Sequence, residues 1–227
     1  MEHLIAYTPD EPPLDGRWDR GRWGGVEPLD VRHFHARSSD HRPRVQVKLL
    51  HSGRALHVLF RVEDRFVRAA CERHGEKVCK DSCVEIFLEP PGDRGYFNVE
   101  ANCGGTLLVW HVEDPTPSGG GLLRSTDFSA EAASQVRVFH SLPRRVPDEI
   151  AEPIEWHLQL AIPVATFERH VGAIGDLRGQ AWRGNLFKCA DGTSRPHWAS
   201  WSPIGEELNF HRPEYFGTFV FASEEIS

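Results

Sequence analysis

The sequence is poor in the features that would assign it quickly. It has no apolar run near the ~20 residues that a membrane-spanning helix needs. Its N-terminus, MEHLIAYTPDEPP, lacks a basic stretch followed by an apolar one, so it does not read as a secretion signal. The chain as it stands is therefore expected in the cytoplasm, or outside the cell if a leader has been removed. Lysine occurs only at 48, 77, 80 and 188, and the net charge is −7. That net charge argues against a basic stripe of the kind that neutralises nucleic-acid phosphates, so no nucleic acid is expected as partner, and without a spanning segment no membrane is either. The five cysteines, 71, 79, 83, 103 and 189, are odd in number and form no disulfide framework, which fits reduced thiols. No nucleophile-elbow, P-loop or dinucleotide-binding motif occurs. His33, His35 and His41, like His197 and His211, match no zinc-site spacing, and neither does Cys79-x-x-x-Cys83.

What the chain does have is alternation of period two. Val45, Val47 and Leu49 share one face of a segment, with Arg44, Gln46 and Lys48 on the other. After a Ser52-Gly53 turn, Leu56, Val58, Phe60 and Val62 repeat the pattern up to Asp64, which predicts a β-hairpin. Val84, Ile86 and Leu88 alternate with Cys83, Glu85 and Phe87. In the next strand Phe97, Val99 and Ala101 oppose Tyr96, Asn98, Glu100 and Asn102. Further strands are expected at Thr106 to His111, Gln135 to Phe139, Ile154 to Ile162, and Thr218 to Phe221. Residues 1–43 show few periodic apolar runs. Residues 65–80 read as charged and irregular with room for a helical turn, and 113–134 (with Pro115, Pro117 and Gly119-Gly120-Gly121) and 142–153 read as loops. Pro163 can open a short helix, Val164 to Val171. Nine or ten short strands, long loops and one short helix predict an all-β fold, an antiparallel β-sandwich of jelly-roll or immunoglobulin-like type. It is expected as a single domain over residues 1–227 with its core at about 12–222.

The stretch Trp182 to Trp201 holds three of the seven tryptophans among polar residues, and Phe210 to Gly217 follows as a second aromatic run. Flat apolar faces beside hydrogen-bonding groups suit a sugar. Trp156 reads as core, whereas Trp198 and Trp201 stand between core and binding surface. The polar stripe of Tyr96–Asn102 is either a solvated outer face or a surface for hydroxyl groups, which Glu85 would join. A carboxylate facing two neighbouring hydroxyls is a directional acceptor. Two carboxylates could alternatively serve glycoside hydrolysis, through Glu85 and Glu100, if their separation were right. A sandwich used for protein assembly, with its aromatics at an interface, is the third reading.

Five pieces in order carry a resemblance: Leu14-Asp15-Gly16-x-Trp18-Asp19, Val62-Glu63-Asp64, Lys80-Asp81-Ser82-Cys83-Val84-Glu85-Ile86-Phe87, Tyr96-Phe97-Asn98-Val99-Glu100-Ala101-Asn102 and Pro213-Glu214-Tyr215-Phe216-Gly217. With them the chain resembles carbohydrate-binding module family 9 and the related family-9-like (DOMON-like) β-sandwich proteins. The resemblance implies non-catalytic recognition of mono- or oligosaccharides of the xylan or cellulose type. It implies sugar contacts from Glu85 and Asn102, polar contacts from Lys188 and Asp191, and a late clamp aromatic at Trp201 or Phe210; the residue pattern adds Glu100 and Trp198 beside them. Family members with a two-tryptophan clamp carry one tryptophan just before the Lys-Asp pair. Here that place is Val78-Cys79, so the resemblance implies a grip from one side, by Trp198, Trp201 and Phe210. It implies no catalytic cofactor, and it allows a structural calcium whose ligands the sequence does not single out.

Overall fold

The computed structural model describes residues 1–119 and 121–225. In chain order the strands are β1 (Glu2–Tyr7), β2 (Leu29–Asp30), β3 (His33–Phe34), β4 (Arg44–His51), β5 (Ala55–Asp64), β6 (Val67–Ala69), β7 (Cys83–Glu89) and β8 (Tyr96–Asn102). Then come β9 (Leu107–Ser118), β10 (Gly121–Asp127), helix α1 (Ala130–Ala133), β11 (Arg137–His140), β12 (Val146–Ile150), β13 (Ile154–Pro163) and helix α2 (Val164–Val171). The chain closes with β14 (Ala181–Cys189), β15 (Trp198–Ser200) and β16 (Gly217–Glu225).

The main strand path runs β10-β9-β8-β7-β14-β16-β1-β4-β5-β13-β11, and it folds back on itself as a β-sandwich. The alternation explains why. Val84, Ile86 and Leu88 of β7 and Phe97, Val99 and Ala101 of β8 all turn to one side. There they meet Val45, Val47 and Leu49 of β4, Val58, Phe60 and Val62 of β5, and Trp156, Leu158 and Leu160 of β13 in one buried cluster. Each such aliphatic side chain, fully buried, contributes roughly 1.5–3 kcal/mol of transfer free energy. Trp156 is core, as its strand pattern predicts.

Strand β14 joins the two halves. Its first part, Ala181 to Gly184, pairs with β16, and its end, Phe187 to Cys189, pairs with β15. Gly184 sits at the handover. A Cβ there would lie 2.3 Å from the Phe87 carbonyl oxygen and 2.6 Å from the Phe219 ring, so only glycine lets the backbones come this close.

Several expected loops are ordered. Residues 113–127 continue the β9/β10 hairpin, with Gly121 opposite Ser118; of the glycine run there, Gly120 lies outside the described residues. Pro115 and Pro117 are tolerated because β8 pairs with β9 only as far as Val112, so beyond that point one edge of β9 needs no amide donors. Val146 and Ile150 of β12, inside a further predicted loop, pair with β6, inside the irregular stretch 65–80. The helix at Val164–Val171 forms as expected, but α1 is a second one, and its Ser129 side chain caps the Ala132 amide. Strand β1 departs from the antiparallel pattern, running parallel to both β16 and β4. Its Ile5 is fully buried, so the core begins well before residue 12.

Candidate functional site

The outward side of β7 and β8 is the unusual surface of this protein. Cys83, Glu85 and Phe87 project there, as do Tyr96, Asn98, Glu100 and Asn102, and every one of them is buried. The solvated-face reading is therefore excluded. The cover comes from the segment after β15. Ile204 and Phe216 pack with Phe87, Tyr96, Val112 and Phe187 into a second apolar cluster. Phe210 stacks on Phe187 with ring centroids 4.1 Å apart, and His211 meets the Tyr96 hydroxyl at 2.7 Å.

Beside this cover lies a cavity of about 390 Å³. Glu85, Glu100 and Cys189 line its floor, together with Leu108. Its walls are Trp110, Trp198, Phe210 and His211, with Lys77, Cys79, Asp191, Leu208 and Asn209 at the sides. Along the strand path β9-β8-β7-β14-β15, Trp110 and Trp198 stand on the outer strands and the two glutamates on inner ones. The tryptophans thus flank the carboxyl groups.

Glu85 and Glu100 are direct cross-strand partners in the β7/β8 register. Two like charges so placed repel each other. Burial first, then the Glu100 carboxyl, raises Glu85 well above the ordinary glutamate value, and the Cys189 thiol opposes this only in part. Glu100 is pushed up to about 7 by burial and by Asp191, against the Asn98 hydrogen bond. Asn98 Nδ2 donates to Glu100 Oε1 at 2.8 Å, while Glu100 Oε2 is buried with no partner. Trp110 Nε1 is likewise a buried donor without an acceptor. Asp191 accepts from Trp198 Nε1 at 2.7 Å, which fixes that ring over the cavity edge.

The structure thus brings Glu85, Glu100, Asp191, Trp198 and Phe210 together, and it places three other expected residues elsewhere. Lys188 lies opposite Val84 and so shares the inward parity of Leu186. Its ammonium is fully buried, 3.4 Å from Asp64 Oδ2 and 2.8 Å from His197 Nε2. Burial alone would raise the Asp64 carboxyl. Lys188, the His41 hydrogen bond and the Arg65 amide instead hold it well below the usual carboxylate range. Lys188 is therefore one half of a buried ion pair that ties β14 to β5. Asn102 is fully buried as a brace, donating to the Cys71 carbonyl and to Asp81 Oδ2 while accepting from the Thr106 amide. Trp201 is 2 % exposed and stacks on Phe219 at 5.1 Å inside the main core. None of these three lines the cavity. The sequence reading missed Trp110 and His211. Trp110 shares the outward face of its register partner Asn98, the one signal that could have found it.

The match to known families is extensive. The model of Carbohydrate-binding family 9 covers residues 25–221. The chain belongs to carbohydrate-binding family 9. A solved structure of a proposed carbohydrate-binding protein from Bacteroides uniformis is 30% identical, covers 97% of this chain and 98% of its own, and superposes with a TM-score of 0.84. Two family 9 modules from Caldicellulosiruptor kristjanssonii share the fold at lower identity. One, in complex with glucose, is 15% identical over 100% of this chain and 98% of its own, with a TM-score of 0.64. The other, in complex with cellotriose, is 16% identical over 99% and 95%, with a TM-score of 0.65. No curated protein matches this chain.

The resemblance allows a structural calcium, an ion that takes six to eight oxygen ligands. Among the described residues, the one group of three side-chain ligands able to hold a metal is Cys83, Glu85 and Cys189. Two sulfurs and one carboxyl do not suit calcium, so this cluster is not that site. No helix among the described residues is long and apolar enough to cross a membrane.

Proposed function

We propose that this family 9 protein holds a saccharide of the gluco- or xylo-configured type in the cavity above Glu85 and Glu100, without cleaving it. One observation carries the reading. An open cavity flanked by Trp110, Trp198 and Phe210 is lined by two residues that each carry a buried polar atom without a partner, the acceptor Glu100 Oε2 and the donor Trp110 Nε1. Buried polar atoms left unpaired cost about 1–3 kcal/mol each, and a ligand hydroxyl can donate to the one and accept from the other. The rings offer faces for the C–H side of a pyranose. Trp110 takes the part of the clamp ring that is absent at Val78-Cys79. The glucose and cellotriose complexes of the Caldicellulosiruptor modules support the same ligand class.

The hydrolase alternative has no support from the relatives. Glu85 and Glu100 rise side by side from the cavity floor, whereas glycosidase carboxyls flank the scissile bond from two sides. The assembly reading is weakened by where the aromatics lie, since Trp23, Trp156 and Trp201 are buried within the chain's own core. The five free thiols support a reducing location such as the cytoplasm.

Calorimetric titration with glucose, cellotriose and xylotriose tests the proposal. At least one is expected to bind, and Trp198→Ala is expected to weaken it roughly two- to twelvefold, from the ~0.5–1.5 kcal/mol of an aromatic stacking contact. No heat of binding at millimolar sugar with the wild-type protein would contradict the proposal.

A further inference from the structure

Next to Glu85, the cavity floor brings together two thiols that sugar recognition does not use. Cys83 and Cys189 are direct register partners on β7 and β14, and Glu85 stands two residues along from Cys83 on the same face. Their ligand atoms, two thiol sulfurs and a carboxyl oxygen, all lie within 4.8 Å of one another, with Cys189 Sγ 3.1 Å from Glu85 Oε1. All three residues are at most 3 % exposed. Two of them, Glu85 and Cys189, line the cavity, so the cluster is buried but has an access route. The set is held by the strand register and not by a mobile loop.

We infer that Cys83, Cys189 and Glu85 form a three-ligand site for a single thiophilic divalent cation of the zinc class, with its fourth position facing the cavity. The spacing suits a tetrahedral ion, whose sulfur ligands lie about 2.3 Å and carboxyl oxygens about 2.0–2.2 Å away. Two sulfurs with one oxygen favour zinc-like ions over calcium or magnesium. The surroundings favour a cation too. Glu100 faces Glu85 across the strand pair with its Oε2 unpartnered, and Asp191 lies at the cavity side. Binding involves no redox change. Each thiol, and the Glu85 carboxyl where it is protonated, gives its proton to solvent as its bond to the metal forms.

The site stands on the register of β7 and β14 and does not depend on the sugar reading. Cobalt(II) is the probe, added to the fully reduced protein without sugar. The expected result is one equivalent bound per chain, with the thiolate-to-cobalt charge-transfer band of tetrahedral sulfur coordination, displaced by zinc. Cys83→Ser and Cys189→Ser are each expected to abolish the band, and Cys71→Ser to leave it intact. Glu85→Gln, which keeps both thiols and the side-chain shape, is expected to weaken binding at least about tenfold. Thermal melts of each variant show whether it is folded, and Glu85→Gln keeps the test open if a serine variant is not. No charge-transfer band with the wild-type protein would overturn the inference. So would a band that survives in Cys189→Ser, or unchanged affinity in Glu85→Gln.

Discussion

Lys188→Met separates a structural lysine from a ligand-binding one. In the folded protein both the Lys188 and Asp64 side chains are 0% exposed, and their charges are 3.4 Å apart. Methionine keeps the length and the apolar stem and deletes the charge. Asp64 is then left as a buried carboxylate, though His41 Nε2 at 2.7 Å and the Arg65 amide at 2.8 Å still serve one of its oxygens. Breaking a buried pair by removing one partner costs about 3–5 kcal/mol, and the remaining hydrogen bonds put this case near the lower end. At 2–4 °C per kcal/mol for a chain of this size, 3 kcal/mol corresponds to a fall in Tm of roughly 6–12 °C. Urea unfolding is the assay, with a lowered midpoint and an unchanged slope expected. Sugar affinity of the folded variant should equal that of wild type. The double variant Asp64→Asn with Lys188→Met should be more stable than the sum of the single losses, by about 1–3 kcal/mol of coupling. An unchanged midpoint together with lost sugar binding would refute the placement of Lys188 in the core.

Two further outcomes follow from the same structure. Trp201→Ala should cost about 3–5 kcal/mol of stability as a core deletion and leave the sugar affinity of the folded fraction unchanged, which paired unfolding and binding titrations would check. His57 is fully buried, and burial depresses it from 6.5 to about 4. Its stabilising contribution is fully present above pH 6.5 and is lost as pH falls toward 4. Wild type should therefore lose on the order of 3 kcal/mol more than His57→Gln between pH 7 and pH 4. Parallel stability curves for the two proteins would show that His57 does not titrate this way.

How much of this was legible in the sequence depends on the residue. The inward faces of β4, β5, β7, β8 and β13 follow from strict alternation, and one-sided burial makes their register unambiguous. Lys188 was legible but misread. Counting by two from Leu186 puts it in the core, although a charged residue there conflicts with composition until Asp64 is known to meet it. Asn102 shares the outward parity of Glu100. Only the fold shows that the chain near Cys71 and Asp81 closes over its amide. Trp110 gave no motif because its role arises from β9 lying next to β8. Pro115 and Pro117 hid the β9/β10 hairpin, since a proline is compatible with a strand only where an edge has no partner, and strand order is not written locally. The N-terminal strand was hidden for a related reason: its parallel partners lie about 45 and 215 residues away in sequence.

Sugar is proposed to sit between Trp110 and Trp198, above the two glutamates. The most direct measurement is the shift of the seven tryptophan indole N–H signals in a proton–nitrogen correlation spectrum during titration with cellotriose. The Trp110 and Trp198 signals are expected to move together in a saturable way, while those of the buried Trp23, Trp156 and Trp201 stay in place. Signals that do not move at saturating sugar, or that move only at Trp201, would contradict it.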